Sequence, residues 1–443
     1  MTTISRRRLF QLAGAGLCGY SASGWLPALA DEIAPSPNRK RHCILLWMSG
    51  GPSQIDTFDM KPGHANGGEF KEIETKAPGL RISEHLPKLA EQADKLAIVR
   101  GVSTKEGDHG RGTYLMRTGH QPRGPVSFPT IGASLSKELG DGSDLALNFV
   151  SVSPYRAFNQ AAYGPGFLGP KYAPLTVGAT DSFPMTLRDM PQYAELRVDD
   201  LARPANVGQQ QFDKRLKLWR MLQDGFLADH RSASPIAHDT VYRRALKLMD
   251  SDIARAFDLE DEPTNVRDAY GRGRFGQGCL MARRLIERGV AFVEVSLGAF
   301  DGGNVGWDTH QNNFAAVRQL SGDLDAGWAT LMKELDERGL LESTTILWMG
   351  EFGRTPAIND NAGRDHFPGA WTCVFGGGGI QGGQAYGKTS DDGTEVVEGK
   401  ANEADILATL CSALGVAPNK ENISEQGRPI KIAEGTAITD ILV

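Results

Sequence analysis

The stretch Thr344-Thr345-Ile346-Leu347-Trp348-Met349-Gly350-Glu351-Phe352-Gly353-Arg354-Thr355-Pro356, continued through Arg364-Asp365-His366 to Trp371-Thr372-Cys373-Val374-Phe375-Gly376, decides the fold. Two apolar runs, residues 345–349 and 371–375, have the length and the β-branched or aromatic content of buried strands. The first empties directly into Glu351 and Arg354, and the loop that follows carries Asp365-His366. In an open α/β sheet ligands bind beyond the carboxyl ends of the strands, so charges at a strand exit are candidates for a site. Taken singly, each reads better as a solvated loop charge. Taken together, and echoed elsewhere in the chain, they point to a site.

Working outward, His42–Met48 is a continuous apolar run of the kind found in a central strand covered on both faces. It ends in Ser49-Gly50-Gly51-Pro52-Ser53-Gln54-Ile55-Asp56-Thr57-Phe58-Asp59, where the glycines permit a sharp turn and Asp56 serves either as ligand or as turn cap. Residues 96–100 read as a strand leading into Gly107-Asp108-His109-Gly110-Arg111-Gly112-Thr113, and on to Arg117-Thr118-Gly119. A polar, glycine-bearing loop that runs into a helix offers backbone N–H groups and a positive dipole end to an anion. Arg111 and Arg117 would add charge-assisted donors to phosphate or sulfate. The plainer alternative is a capped surface helix with scattered arginines.

Residues 290–295 form a further strand, preceded by a helix over 279–288 and followed by a glycine-rich loop with Asp301, Asp308 and His310. An Asp and a His two residues apart at a strand exit can address one ion, and carboxylate with imidazole suits zinc, iron or manganese. Capping of a helix over 314–337 is the structural alternative for Asp308, but it does not account for the whole cluster.

The chain has 443 residues, a net charge of −6 and mixed signs, so it lacks the basic footprint of a nucleic-acid binder. Its five cysteines show no CxxC or zinc-finger spacing and read as small buried residues, with a disulfide among Cys43, Cys279, Cys373 and Cys411 left open. Residues 1–30 read as a twin-arginine signal peptide: Ser5-Arg6-Arg7-Arg8-Leu9-Phe10, an apolar run to Trp25, and the small-x-small site Ala28-Leu29-Ala30. Residues 31–41 form a linker, and no second apolar span follows, so the expected location is periplasmic or extracellular after handling by the twin-arginine machinery. Residues 42–443 then form the α/β domain, with a helical insertion or subdomain over 206–288.

Four apolar runs thus end in or near Asp, Glu or His, and the long segments between them suit right-handed βαβ crossovers in a mainly parallel sheet. At Gly50 through Asp59, Gly306-Trp307-Asp308-Thr309-His310, Gly350 through Pro356 and Gly363-Arg364-Asp365-His366-Phe367-Pro368 the sequence resembles the exported domain-of-unknown-function 1501 family, which is sulfatase-like and sits within the alkaline phosphatase-like superfamily. The resemblance spans nearly the whole chain after the leader. It implies a three-layer α/β/α fold with metal ligands at strand ends, Asp308 and His310 as one ligand pair, Glu351 where the superfamily usually carries Asp-His, and His366 near its last His. Arg117-Thr118-Gly119 matches the end of the sulfatase helix-start motif, which puts the nucleophile position near His109. No Cys-x-Pro-x-Arg occurs, so the formylglycine chemistry of sulfatases is not implied.

The expected activity is that of a metal-dependent hydrolase of sulfate or phosphate esters, acting on a sulfated or phosphorylated small molecule or polysaccharide. The expected metal set is Asp56, Asp308, His310, Glu351, Asp365 and His366, holding zinc, calcium, magnesium or manganese. His109 and Thr113 are the catalytic candidates, and Arg111, Arg117 and Arg354 the substrate-binding ones. The alternative is a non-catalytic oxyanion- or glycan-binding protein that keeps the fold, and the missing nucleophile is the feature that favours it.

Overall fold

The computed structural model describes residues 41–140, 147–178, 193–198, 201, 203–230, 232–298 and 305–443. The signal peptide, the linker up to residue 40, and Asp301 therefore lie outside the described residues. Residues Arg41–Val443 pack as one unit.

Eight strands form the main sheet: β1 (His42–Met48), β2 (Leu96–Val102), β3 (Phe149–Val152), β4 (Leu175–Val177), β5 (Phe292–Leu297), β6 (Thr344–Met349), β7 (Trp371–Gly377) and β8 (Gln384–Tyr386), in the order β8-β2-β7-β6-β1-β5-β3-β4. The helices that matter here are α1 (His109–Thr118), α2 (Ile131–Leu139), α3 (Gln209–Asp229), α4 (Ala233–Met249), α5 (Arg274–Glu287), α6 (Asn313–Glu337) and α7 (Glu403–Ala413). Strand β1 is flanked by parallel β5 and β6, and all seven of its residues are buried, which explains its unbroken apolar run. Its side chains alternate. Ile44, Leu46 and Met48 meet the core that includes Leu280 of α5 and Trp328 of α6, whereas Cys43, Leu45 and Trp47 meet Ile131 of α2 and Leu410 of α7. Two cores on opposite faces of one sheet make the expected three-layer α/β/α arrangement.

The local signals are physical ones. Asn402 accepts from the Asp405 N–H and Asp405 accepts from the Asn402 N–H, a reciprocal cap that starts α7. Gly119 closes α1 in the left-handed conformation, at φ 74°. Cys43, Cys279, Cys373 and Cys411 are buried and free, so no disulfide joins them. No helix among the described residues is long and apolar enough to cross a membrane.

One expectation is corrected. The run at 371–375 does not join the parallel set: β7 is antiparallel to both β2 and β6. A parallel return needs a crossover of a dozen or more residues, usually a helix. Between β6 and β7 the chain instead makes a short antiparallel pairing of Gly353–Arg354 with His366–Phe367 and comes back on the same sheet edge. His366 therefore reaches that edge from the start of a strand, not from its end.

Candidate metal centre

Four segments converge on this edge. Beyond β1, Gly50 adopts φ 104° and its N–H donates to Glu351 Oε1 at 2.8 Å. A Cβ on Gly50 would lie 2.4 Å from the backbone nitrogen of Asp308, so only glycine lets these two exits touch. Beyond β6 come Glu351 and Arg354, and the side chain of Gln54 clamps Arg354 by both its N–H (3.0 Å) and its carbonyl (2.8 Å). Beyond β2, Asp108 caps α1 by accepting from the Arg111 N–H at 3.0 Å, which sets His109 in the first turn. The segment 305–310 supplies Asp308 and His310.

The side chains from these segments meet at Asp308 Oδ1. His109 Nε2 lies 3.2 Å from it, His310 Nε2 3.1 Å and His366 Nε2 3.3 Å. The two Nε2 atoms of His310 and His366 are 2.9 Å apart. On the far side of each ring, Nδ1 faces an acceptor: Glu351 Oε1 for His109, Asp365 Oδ1 for His310, and the Gly107 carbonyl for His366, each at 2.7 Å. Those contacts place the ring hydrogen on Nδ1. Three Nε2 lone pairs and a carboxylate oxygen are then aimed at a common space, and they repel unless a proton or a cation stands between them. His109 Nε2 is buried and makes no hydrogen bond, although a carboxylate oxygen is 3.2 Å away.

That pattern fits a metal. Donors bound tetrahedrally to zinc at 2.0–2.1 Å sit roughly 3.3 Å from one another. His109, Asp308 and His366 can offer ligand atoms all within 4.8 Å of one another. Imidazoles oriented by carboxylates or carbonyls are the usual outer shell of such sites. Asn359 extends that shell by donating to Asp365 Oδ1 at 3.2 Å and to the His310 carbonyl at 3.0 Å. Asp308, Glu351 and Asp365 against Arg354 leave two negative charges, which a divalent ion balances.

Protonation reports the same field. Burial alone would depress His109, but the Asp308 carboxylate close to its Nε2 and the Glu351 carboxylate bound to its Nδ1 outweigh it, and its pKa is pushed up to about 9. Burial likewise opposes ionisation of Asp308, yet His109, His366 and the Arg354 charge hold it well below the usual carboxylate range. A raised histidine pKa stabilises the metal-free fold fully below the unfolded value of about 6.5, and that contribution is lost as pH rises through about 9. A metal must displace the same proton. Divalent-ion affinity should therefore climb between pH 6.5 and 9 with release of a proton, read by calorimetry in buffers of different ionisation enthalpy; affinity flat across that range would disprove the competition.

The expected residues fall into groups. Asp308, His310 and His366 come together through Oδ1 and the two Nε2 atoms, joined by His109, which the sequence suggested as nucleophile or base. Glu351 and Asp365 sit one step out, orienting His109 and His310, although Glu351 Oε2 is buried without a partner. Asp56 stands apart: its carboxylate is gripped by Arg364 at 2.8 and 2.9 Å and by Asn313 at 2.8 Å, all within the protein interior. The three arginines are engaged. Arg111 is exposed and bound to Glu106 at 2.8 Å; Arg117 is buried against Glu294 and the Ala162 carbonyl; Arg354 donates to Asp308 at 2.5 Å and to the Gly50 and Gly51 carbonyls. Thr113 is fully buried, and its hydroxyl has no partner. Sequence reading missed Arg364, Asn359 and Phe158, whose ring stacks on His109 with centroids 4.2 Å apart. Arg364 adjoins the Asp365-His366 pair and could have been found there; nothing local marks the other two.

A family model described as a protein of unknown function (DUF1501) matches residues 40–442. The chain belongs to this family. None of the curated proteins matches it in sequence. Among solved structures, the lipoteichoic acid synthase LtaP from Listeria monocytogenes is 8% identical over 89% of this chain and 74% of its own, with a TM-score of 0.40. The PsFucS1 sulfatase from Pseudoalteromonas sp. is 12% identical over 88% and 70%, with a TM-score of 0.39. An alkaline phosphatase superfamily protein from Vibrio parahaemolyticus is 11% identical over 86% and 67%, with a TM-score of 0.35.

Proposed function

We propose that the protein is an exported, metal-dependent hydrolase of phosphate or sulfate esters. The observation that carries this reading is the convergence of three imidazole Nε2 atoms on Asp308 Oδ1 with every Nδ1 already committed elsewhere. Within the expected set of zinc, calcium, magnesium and manganese, imidazole donors favour zinc, since calcium and magnesium prefer oxygen ligands. His109, Asp308 and His366 would hold the ion, with His310 beside them. Such an ion supplies Lewis-acid polarisation of an ester oxygen and acidifies water. The chain's own part is to orient and to hold charge. Glu351, Asp365 and the Gly107 carbonyl fix the rings, Arg354 keeps Asp308 ionised, and the start of α1 turns its positive dipole end toward an incoming anion. A small molecule or a polysaccharide bearing sulfate or phosphate is the substrate class, and the leader at residues 1–30 sends the enzyme out through the twin-arginine machinery.

The non-catalytic reading has one observation in its favour: Arg117 and Arg354 are spent on internal partners, Arg111 is held by Glu106, and Thr113 is fully buried. Elemental analysis of the purified chain, followed by assays on aryl phosphate, phosphodiester and aryl sulfate, separates the two. Stoichiometric metal with turnover that chelation abolishes supports the hydrolase. Metal-loaded protein that binds sulfate or glycan and turns over no ester replaces it with the binding module. Recovery of the chain only from the cytoplasmic fraction of producing cells would end the export part of the reading.

A further inference from the structure

Eleven large hydrophobic side chains stand exposed among the described residues, and seven of them lie on the helical pair α3–α4. Helix α3 is apolar on two faces. One face, with Phe212, Leu216, Trp219 and Leu227, is half-buried, and Trp219 stacks on Tyr242 of α4 with centroids 5.6 Å apart. The other face is bare: Leu218 is 52% exposed, Met221 64%, Leu222 63% and Phe226 49%. With Gly225 these residues follow the spacing of a single helical stripe. None of the 21 residues of α3 is buried. A contiguous apolar stripe of this kind on a folded chain marks an interaction surface.

The charges along the stripe say what covers it. Arg215 and Asp229 continue it at either end, each seven positions from Leu222. Asp229 lies in the last turn, against the preference of the helix dipole, and Arg215 has no acidic residue three or four positions away on its own helix. Local helix energetics therefore does not account for the order, but antiparallel self-pairing does. We propose that a second copy of this chain covers the stripe, α3 against α3 across a twofold axis at Leu222. Such an interface is isologous. Arg215 then faces Asp229 of the partner subunit, twice over by symmetry, Leu218 faces Phe226 of the partner subunit, and Gly225 leaves room for close approach of the two backbones. At 1.5 Å per residue the helix offers a seam of about 31 Å.

Light scattering on the purified full chain at micromolar concentration is expected to give twice the chain mass. Leu222→Glu should yield a folded monomer with unchanged helix content, since the side chain is exposed, and a melting temperature that no longer depends on protein concentration. Arg215→Asp alone, or Asp229→Arg alone, should weaken the dimer at least about tenfold, and the two together should restore it. Rescue by the double reversal also separates this interface from association through any other part of the chain. The proposal fails if the wild type is monomeric at all concentrations, if a dimer ignores all of these changes, or if the stripe instead sediments the monomer with anionic phospholipid vesicles.

Discussion

Alanine in place of His366 is expected to cut ester turnover by roughly a thousandfold, about 4 kcal/mol of barrier, with loss of bound metal. The ring contributes one of the three Nε2 atoms around Asp308 Oδ1, and its other nitrogen is tied to the Gly107 carbonyl, so no neighbouring side chain can take its place. The fold should survive, because the side chain is 26% exposed and belongs to neither main core. His310 is 43% exposed and further toward solvent, and its alanine variant should lose less. Turnover measured beside metal content decides the matter. A His366→Ala protein with full metal and full activity would remove this residue from the site.

The largest effect on stability is expected at Arg364. Its guanidinium is fully buried against a fully buried Asp56, and it also donates to the Asn66 carbonyl at 2.9 Å and the Thr355 carbonyl at 3.2 Å. Removing one partner of a buried pair leaves the other charge uncompensated, at a cost of about 3–5 kcal/mol. Arg364→Leu should therefore melt far below the wild type. Because the Arg364 backbone N–H holds the Thr309 carbonyl at 2.9 Å, displacement of this segment by the unpaired Asp56 charge should loosen the loop that carries Asp308 and His310, and metal should be lost. Removing both charges, as Asp56→Asn with Arg364→Leu, should recover part of the stability, since the pair is a coupled unit. A single variant that melts like the wild type would contradict this account of the interior.

The contrast between these two positions shows what the sequence could carry. Strand runs, their order of appearance and the placing of Asp308, His310, Glu351 and His366 at one edge follow from local apolar patterning, because burial on both faces writes itself into consecutive residues. Pairings across the chain do not. Asp56 meets Arg364 over a separation of 308 residues and His109 meets Glu351 over 242, and no local spacing announces either. So Asp56 looked as good a ligand as Asp308, and His109 was placed by position along the chain and not by its partner. Glu351 and Asp365 were found at the site, but spacing could not say that they face imidazoles, since that depends on which oxygen each rotamer presents. The direction of β7 was hidden for a similar reason: an apolar run has no polarity.

That reversed strand bears on how the site assembles. Parallel neighbours such as β1 and β5 are brought together only by closing a loop of more than two hundred residues, whereas Glu351 and His366 are fifteen apart and return to one edge through a local ribbon. Closure entropy rises with the logarithm of loop length, and contacts of short separation form faster. The half of the pocket built from residues 351–366 is therefore kinetically cheap and can template itself early. The half that carries His109 and Asp308 waits on long-range docking. A cation that needs both halves would be captured late, locking topology in place as the final event of folding.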